Sequence, residues 1–187
     1  MYIYFMQPTR TITRFLRMEP SARERIFAAA DLRALVPGIG DGAFRSVLAR
    51  LEKSGELLRV CRGIYLLPGA LFAADEILLR TACRLRPHHF NYISLETALS
   101  DAGILSQVPL SRLTLMSTGR SNVISCGDRG VIEFVHTRRS PASLATDVVY
   151  DPSVRCFRAT VSRALADMRR ARRNTGLVDE ATHNVEE

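Results

Sequence analysis

The sequence predicts an α+β fold in two parts: a winged helix-turn-helix over residues 1–70, then a small α+β domain with a short antiparallel sheet over residues 71–187. Three observations predict it. Apolar residues recur with helical spacing as far as Lys53, after which the period shortens to two runs around "CRG". Further helical segments then give way to alternating, strand-like patterns. The basic excess sits mainly in the first part, where residues 1–70 hold eleven basic and six acidic side chains, a net of +5. The remainder holds fifteen and thirteen, a net of +2.

The first eighteen residues carry little weight in this reading, since Met6 and Met18 are alternative starts. "EPSARERIFAAADLRALV" reads as a helix, a short turn and a second helix. Ser21 is the predicted N-cap, Glu24 completes a capping box, and Asp31 opens the second helix. "PGIGDG" breaks the pattern. Asp41 caps a third helix whose Phe44, Val47, Leu48 and Leu51 have the spacing of a buried face, and Gly55 stops it. "ELLRV" and "IYLLP" then form a hairpin around "CRG". Three helices and a hairpin are the order of a winged helix-turn-helix, whose third helix enters the major groove while the wing lies on the adjacent backbone or minor groove. Arg45, Ser46, Arg50 and Lys53 on the helix and Arg59 and Arg62 on the wing are therefore the candidate DNA contacts.

In the second part, "LFAADEILLRTACRLRP" predicts a helix with Ile77, Leu78, Ala82 and Leu85 inward, ending at Pro87. Ser94 caps a helix through Ala102, closed by Gly103. "RLTLMST" and "GVIEFVHT" alternate as strands, with Gly119, Gly127 and Gly130 as turn points between them. "SPASLATDVVYDPSV" reads as a loop-rich connection, and "FRATVSRALADMRRARRNTG" as a final helix. Its basic end, Arg169, Arg170, Arg172 and Arg173, is a candidate contact for phosphate or an acidic partner. The tail "LVDEATHNVEE" reads as a fraying terminus.

The composition bounds the chemistry. The formal charge is +7 and the sequence pI about 9.8, a balance that suits an anionic partner. Lys53 is the only lysine, an arginine bias that GC-rich coding largely accounts for, although a planar fork also suits phosphate and guanine edges. No apolar run is long enough to span a membrane, and the start lacks the apolar core of a signal peptide, which implies a cytoplasmic protein. Cys61, Cys83, Cys126 and Cys156 form no C-x-x-C pair and are expected to be reduced and mostly buried. Adjacent His88 and His89 cannot share a metal from one helix face, and His136 and His183 have no nearby ligand, so no metal or cofactor is expected. Ser94, Asp101 and His136 lack the context of a catalytic triad, and nothing in the sequence brings Glu96 and Glu133 together. No catalytic residue is assigned and no enzyme activity is expected.

"DLRALVPGIGDGAFRSVLARLEKSGELLRVCRGIYLLP" resembles the N-terminal winged-helix domain of the AbiEi antitoxin family, the regulators of type IV toxin–antitoxin systems. "NYISLETALSDAGILSQVP", "RLTLMSTGRSNVI", "IEFVHTRR" and "RALADMRRARRN" resemble the segments that follow in that family, so that the likeness runs from about Arg25 to Asn174. The resemblance implies a repressor that binds inverted repeats in its own double-stranded promoter, for which a dimer on DNA is one arrangement. It also implies an antitoxin that counters a nucleotidyltransferase-like toxin, acting on the toxin or on its RNA target, with antitoxicity tied to the C-terminal domain. The alternative reading is a stand-alone winged-helix regulator, or a protein-binding adaptor without antitoxin activity.

Overall fold

In a computed structural model of the chain, which describes residues 7–22, 25–105 and 111–174, the first helix lies earlier than the pattern after Ser21 predicts. This helix, α1, spans Pro8–Met18 and buries Ile12 and Leu16, one turn apart. Ser21 caps nothing within the described residues: it lies in a turn and its hydroxyl donates to Glu19 at 2.7 Å. Glu24, its expected capping-box partner, lies outside the described residues. The "IFAA" stretch holds a two-residue strand, β1 (Phe27–Ala28), followed by α2 (Ala29–Ala34). Phe27 is 1% exposed and packs edge-on against Phe15 of α1, so burial and strand pairing override the helical propensity of the alanines. Asp31 sits inside the first turn of α2, where its carboxylate accepts the Ala28 amide at 2.8 Å.

Helix α3 (Asp41–Lys53) follows a loop over residues 35–40. Gly40, not Asp41, occupies the cap position; Asp41 lies in the first turn and pairs with Arg33 at 3.2 Å. Phe44, Val47, Leu48 and Leu51 are buried as their spacing requires, each contributing on the order of 2 kcal/mol of burial. Gly55, at φ +72°, ends the helix, and the Glu56 and Leu57 amides fold back onto the Leu51 carbonyl. Strands β2 (Leu58–Cys61) and β3 (Ile64–Leu66) form the hairpin, with β1 added on the other side of β3, all antiparallel. This part lies within one compact unit, Met1–Ala73.

The second compact unit is Ala74–Glu187. It begins with α4 (Ala74–Leu85), which stops before Pro87 and buries Leu78 and Ala82, with Ile77 and Leu85 partly covered. The sheet is larger than expected and is mixed, not antiparallel. Its strands are β4 (Asn91–Ile93), β5 (Arg112–Ser117), β6 (Asn122–Ser125), β7 (Val131–His136), β8 (Val148–Asp151) and β9 (Cys156–Ala159), in the order β6-β7-β5-β4-β9-β8. β5 with β7 and β4 with β9 run parallel, and the other pairs antiparallel. Three strands lie where other structure is predicted: β6 among the turn points between Gly119 and Gly127, β8 in the loop-rich "SPASLATDVVYDPSV", and β9 at the start of the predicted final helix. All three are four residues long, too short for a period to declare itself. Helix α5 (Leu95–Asp101) lies between β4 and β5, and α6 (Val161–Arg170) follows β9, with the Thr160 hydroxyl accepting the Arg163 amide. The α+β class therefore holds, with a mixed six-stranded sheet in place of a short antiparallel one.

Candidate nucleic-acid interface

Burying one side of α3 exposes the other. Arg45, Ser46, Arg50 and Lys53 are all exposed, with the small Gly42 and Ala49 among them. At 1.5 Å per residue this helix is about 20 Å long, and a helix of ordinary girth fits a major groove. The Ser46 hydroxyl donates to the Gly42 carbonyl (3.1 Å) and Arg50 Nε to the Ser46 carbonyl (3.2 Å), so Arg50 lies along the helix toward its N-terminus. Arg45 and Lys53 have no ion-pair partner within 4 Å among the described residues. The acidic residues of α3 are engaged elsewhere: Asp41 pairs with Arg33, and Glu52 faces Tyr65. Burial first, and then Glu52, push the Tyr65 phenol above its usual range.

The hairpin is short and anchored. Its turn is Arg62–Gly63, and the Gly63 carbonyl accepts the Ala29 amide at 2.8 Å, which ties the tip to the start of α2. Arg62 lies at this tip and is exposed. Arg59, also exposed, bonds the Cys61 carbonyl through Nε at 3.3 Å beside the register shift between Arg59 and Cys61. Helix and hairpin thus carry the six predicted residues on solvent-facing positions of a single unit.

The basic end of the final helix is divided. Arg169 and Arg170 close α6 and are exposed, as is Arg172 just beyond it. Arg173 is not the outward contact for a phosphate or acidic partner that the sequence predicts. Arg172 takes φ +54°, the Arg173 amide returns to the Met168 carbonyl, and the Arg173 guanidinium reaches Glu133 on β7 and, at 3.7 Å, Glu96 on α5. This corrects a second expectation, since Arg173 brings Glu96 and Glu133 to one place. Arg112 holds Glu133 as well, at 2.8 Å. Two carboxylates clasped by arginines form a structural ion-pair network and leave no free acid–base pair.

Ser94, Asp101 and His136 are engaged apart. Ser94 stands at the start of α5, but its hydroxyl donates to Asp167 at 2.9 Å instead of capping. Asp101 pairs with Arg158, and His136 Nδ1 lies 2.9 Å from the Gly119 carbonyl. Sequence reasoning missed the group around Asp167. This residue is 0% exposed, accepts from Tyr92 (2.9 Å) and Ser94, and pairs with Arg163 at 2.8 Å; Arg163 is 7% exposed and also lies 3.5 Å from Asp147. The four-residue spacing of Arg163 and Asp167 was the available signal. Burial, followed by the Asp167 charge, raises the Tyr92 phenol far above its usual range.

None of the four cysteines is joined in a disulfide; three are buried and Cys83 is half-buried. Among the described residues no group of three or more metal-ligating side chains comes together, and no helix is long and apolar enough to cross a membrane.

Comparison with known proteins adds one match. A search of curated proteins finds no match to this chain. Residues 16–68 match the family model described as "Transcriptional regulator, AbiEi antitoxin". The match runs from the end of α1 through β3 and so includes every residue of α3 and the hairpin. The segment from residue 16 to residue 68 thus carries the signature of the AbiEi antitoxin transcriptional regulators, the family that the sequence resembles.

Proposed function

We propose that this chain is a DNA-binding antitoxin that represses its own operon and counters a nucleotidyltransferase-like toxin. In this reading α3 enters the major groove, Arg45, Ser46 and Arg50 face base edges or phosphates, and Lys53, Arg59 and Arg62 meet the backbone. The observation that carries it is the exposed face of α3, whose cations stand clear of the helix's own carboxylates beside an anchored, arginine-tipped hairpin. Arginine forks suit both phosphate oxygens and the O6/N7 edge of guanine. Inverted repeats in the promoter would suit a dimer, with one α3 in each half-site. The second unit would then serve antitoxicity, acting on the toxin or on its RNA target.

The test is a gel shift on the gene's own upstream duplex over a range of salt. Each neutralised phosphate contributes a slope of about −0.9 in log affinity against log salt, so several contacts give a steep fall. An affinity that ignores salt would refute the electrostatic surface. A stand-alone regulator is the second reading, favoured by one observation: the family match lies within the first unit. Protection of cells by co-expression against a toxin encoded beside the gene separates the two readings.

A further inference from the structure

The second unit contains a pair of cysteines that the reading above does not use. Cys156 opens β9, and the strand register fixes the face on which it lies. Tyr92 pairs with Phe157 and Ile93 with Arg158, so Cys156 and Arg158 share the sheet face of Ile93. Ile93 pairs with Leu115, and Leu115 with Phe134, which carries the same face across the sheet. The end of α4 lies on this face too. Arg86, one residue beyond the helix, lays its guanidinium 3.9 Å over the Phe134 ring and donates to the Ser117 hydroxyl at 3.0 Å. Cys83 stands three residues before Arg86, in the last turn of α4 and on the same side of it.

Helix and strand bring the two sulfurs into contact. The side chains of Cys83 and Cys156 hydrogen-bond each other, and Asp151, the strand partner of Cys156, acts on Cys83 as well. Cys156 Sγ also lies 3.9 Å from the Asn91 carbonyl on β4. The pair is unequal in exposure. Cys156 is 5% exposed, while Cys83 is half-buried and gives the pair its edge toward solvent. It is unequal in charge as well. The hydrogen bond from Cys83, then the Phe157 and Ile93 amides and the Arg158 charge, favour a thiolate on Cys156 and lower its pKa against the effect of burial. The same bond, with burial, holds the proton on Cys83 and raises its pKa. One sulfur is thus prepared as a nucleophile and the other stands beside it as a proton-bearing thiol.

A buried cysteine on its own is an ordinary small apolar residue. Two in contact, one favoured as the thiolate, can carry a two-electron oxidation. The Cys156 thiolate attacks one oxygen of hydrogen peroxide: an S–O bond forms, the O–O bond breaks, and hydroxide leaves. That hydroxide takes the Cys83 proton as water. Cys83 then attacks the Cys156 sulfur, so that the S–S bond forms as the S–O bond breaks and a second hydroxide leaves. The two sulfurs give up one electron pair, and the peroxide gains it. A disulfide draws the sulfurs to about 2.0 Å. Cys83 lies in the last turn of α4, where a helix yields most readily to such a movement.

We propose that Cys83 and Cys156 form a peroxide-sensitive dithiol, in which Cys156 attacks the oxidant and Cys83 closes a reversible disulfide that ties α4 to β9. The site lies within the second unit and does not depend on how α3 contacts a duplex.

The experiment treats the reduced full chain with a small excess of hydrogen peroxide, alkylates the remaining thiols in denaturant, and reads intact mass and tryptic peptides. Before alkylation, the expected product is a single chain about 2 Da lighter than the reduced one, restored by dithiothreitol. Trypsin cuts after Arg80, Arg84, Arg155 and Arg158, so the bridge appears as the peptide 81–84 joined to the peptide 156–158. Cys83 and Cys156 should lose their thiols at least about tenfold faster than Cys61 and Cys126. This mapping is made on the wild-type chain and does not depend on any variant folding. In Cys83→Ser the lighter product should vanish, and a sulfenic acid trapped by dimedone should build up on Cys156. Four thiols retained while free glutathione is oxidised in the same solution, or four lost at one rate, would overturn the proposal. So would a bridge that includes Cys61 or Cys126, or a Cys83→Ser chain that still yields the lighter product.

Discussion

Truncating Asp167 to alanine is expected to destabilise the second unit by about 3–5 kcal/mol. The carboxylate has no contact with solvent and takes three donors: the Tyr92 hydroxyl at 2.9 Å, the Ser94 hydroxyl at 2.9 Å and Arg163 Nη2 at 2.8 Å. Its removal leaves Arg163 at 7% exposure with Asp147 as its remaining ion-pair partner, 3.5 Å away. Arg163 Nε is already buried without a hydrogen-bond partner, so the guanidinium has little reserve. Breaking one side of a buried pair costs about 3–5 kcal/mol, because the remaining charge stays desolvated. The two orphaned hydroxyls add less than their separate values, since both donate to Asp167 Oδ2 of the same carboxylate that Arg163 holds through Oδ1. Against a domain stability of about 5–15 kcal/mol the loss is large. Removing both charges is a different perturbation. Asp167→Leu with Arg163→Met replaces the pair by apolar volume and should recover much of the loss, giving a coupling energy of at least about 2 kcal/mol in the double-mutant cycle. Urea unfolding followed by circular dichroism measures both quantities. A cost below about 1 kcal/mol for Asp167→Ala, or single and double variants that simply add, would refute the view that this pair is a coupled, desolvated unit.

The same group makes an alkaline prediction. With the Tyr92 pKa raised, the folded state holds that proton more tightly, so the stabilisation is complete below the unfolded tyrosine value near 10 and is lost as pH rises through the folded value; Tyr92→Phe should flatten this alkaline decline in Tm. On the DNA face, Arg45→Ala or Arg50→Ala should lower the preference for the specific duplex over a scrambled one, by about 1–3 kcal/mol where the arginine makes a bidentate base contact. Arg62→Ala should weaken both duplexes alike, because a phosphate contact carries no base information; equal proportional losses in all three variants would argue against the groove assignment. Gly130→Ala is expected to lower Tm by several degrees, since the residue sits at φ +117° and a Cβ would lie 2.1 Å from the Ser111 carbonyl oxygen. An unchanged Tm would mean that this loop can shift without cost.

The parts of this fold that read directly from sequence are those whose signal is local and repeated. Phe44, Val47, Leu48 and Leu51 declare α3 over two turns, and Gly55 declares its end. The alternation in "RLTLMS" and "VIEFVH" declares β5 and β7. The unread parts depend on contacts distant in the chain. β1 is two residues long and exists because Phe27 pairs with Tyr65, thirty-eight positions away. β5 and β7 run parallel because β6 returns the chain between them, which neither strand's own pattern encodes. The Ser-x-x-Glu spacing at Ser21 predicts a helix start, yet the structure places a helix before it, over Pro8–Met18, and Ser21 in a turn that ends the segment. At the candidate site, exposure of the α3 arginines followed from helical geometry. The inward turn of Arg173 did not, because it is set by Arg172 at positive φ and by two glutamates from separate elements.

Formal charge by halves hides where the cations of this chain can act. The net of +2 over residues 71–187 includes four acidic side chains, Asp179, Glu180, Glu186 and Glu187, that lie beyond the described residues. Over residues 74–174 fifteen basic side chains face nine acidic ones, a net of +6. Seven of those nine acids are already joined to arginines: Glu76 to Arg80, Glu133 to Arg112 and Arg173, Glu96 to Arg173, Asp101 and Asp151 to Arg158, and Asp147 and Asp167 to Arg163. Each acid so engaged cancels the arginine that it touches. At physiological salt, screening over about 8 Å keeps it from cancelling an arginine much further off. Arg86, Arg120, Arg138, Arg139, Arg169 and Arg170 are left without such a partner among the described residues, so their field acts locally and undiminished. A half that looks nearly neutral on paper can therefore present arginine to a phosphate as effectively as the +5 half that carries α3, and pairing, not the sum of charges, decides which surfaces of this chain attract nucleic acid.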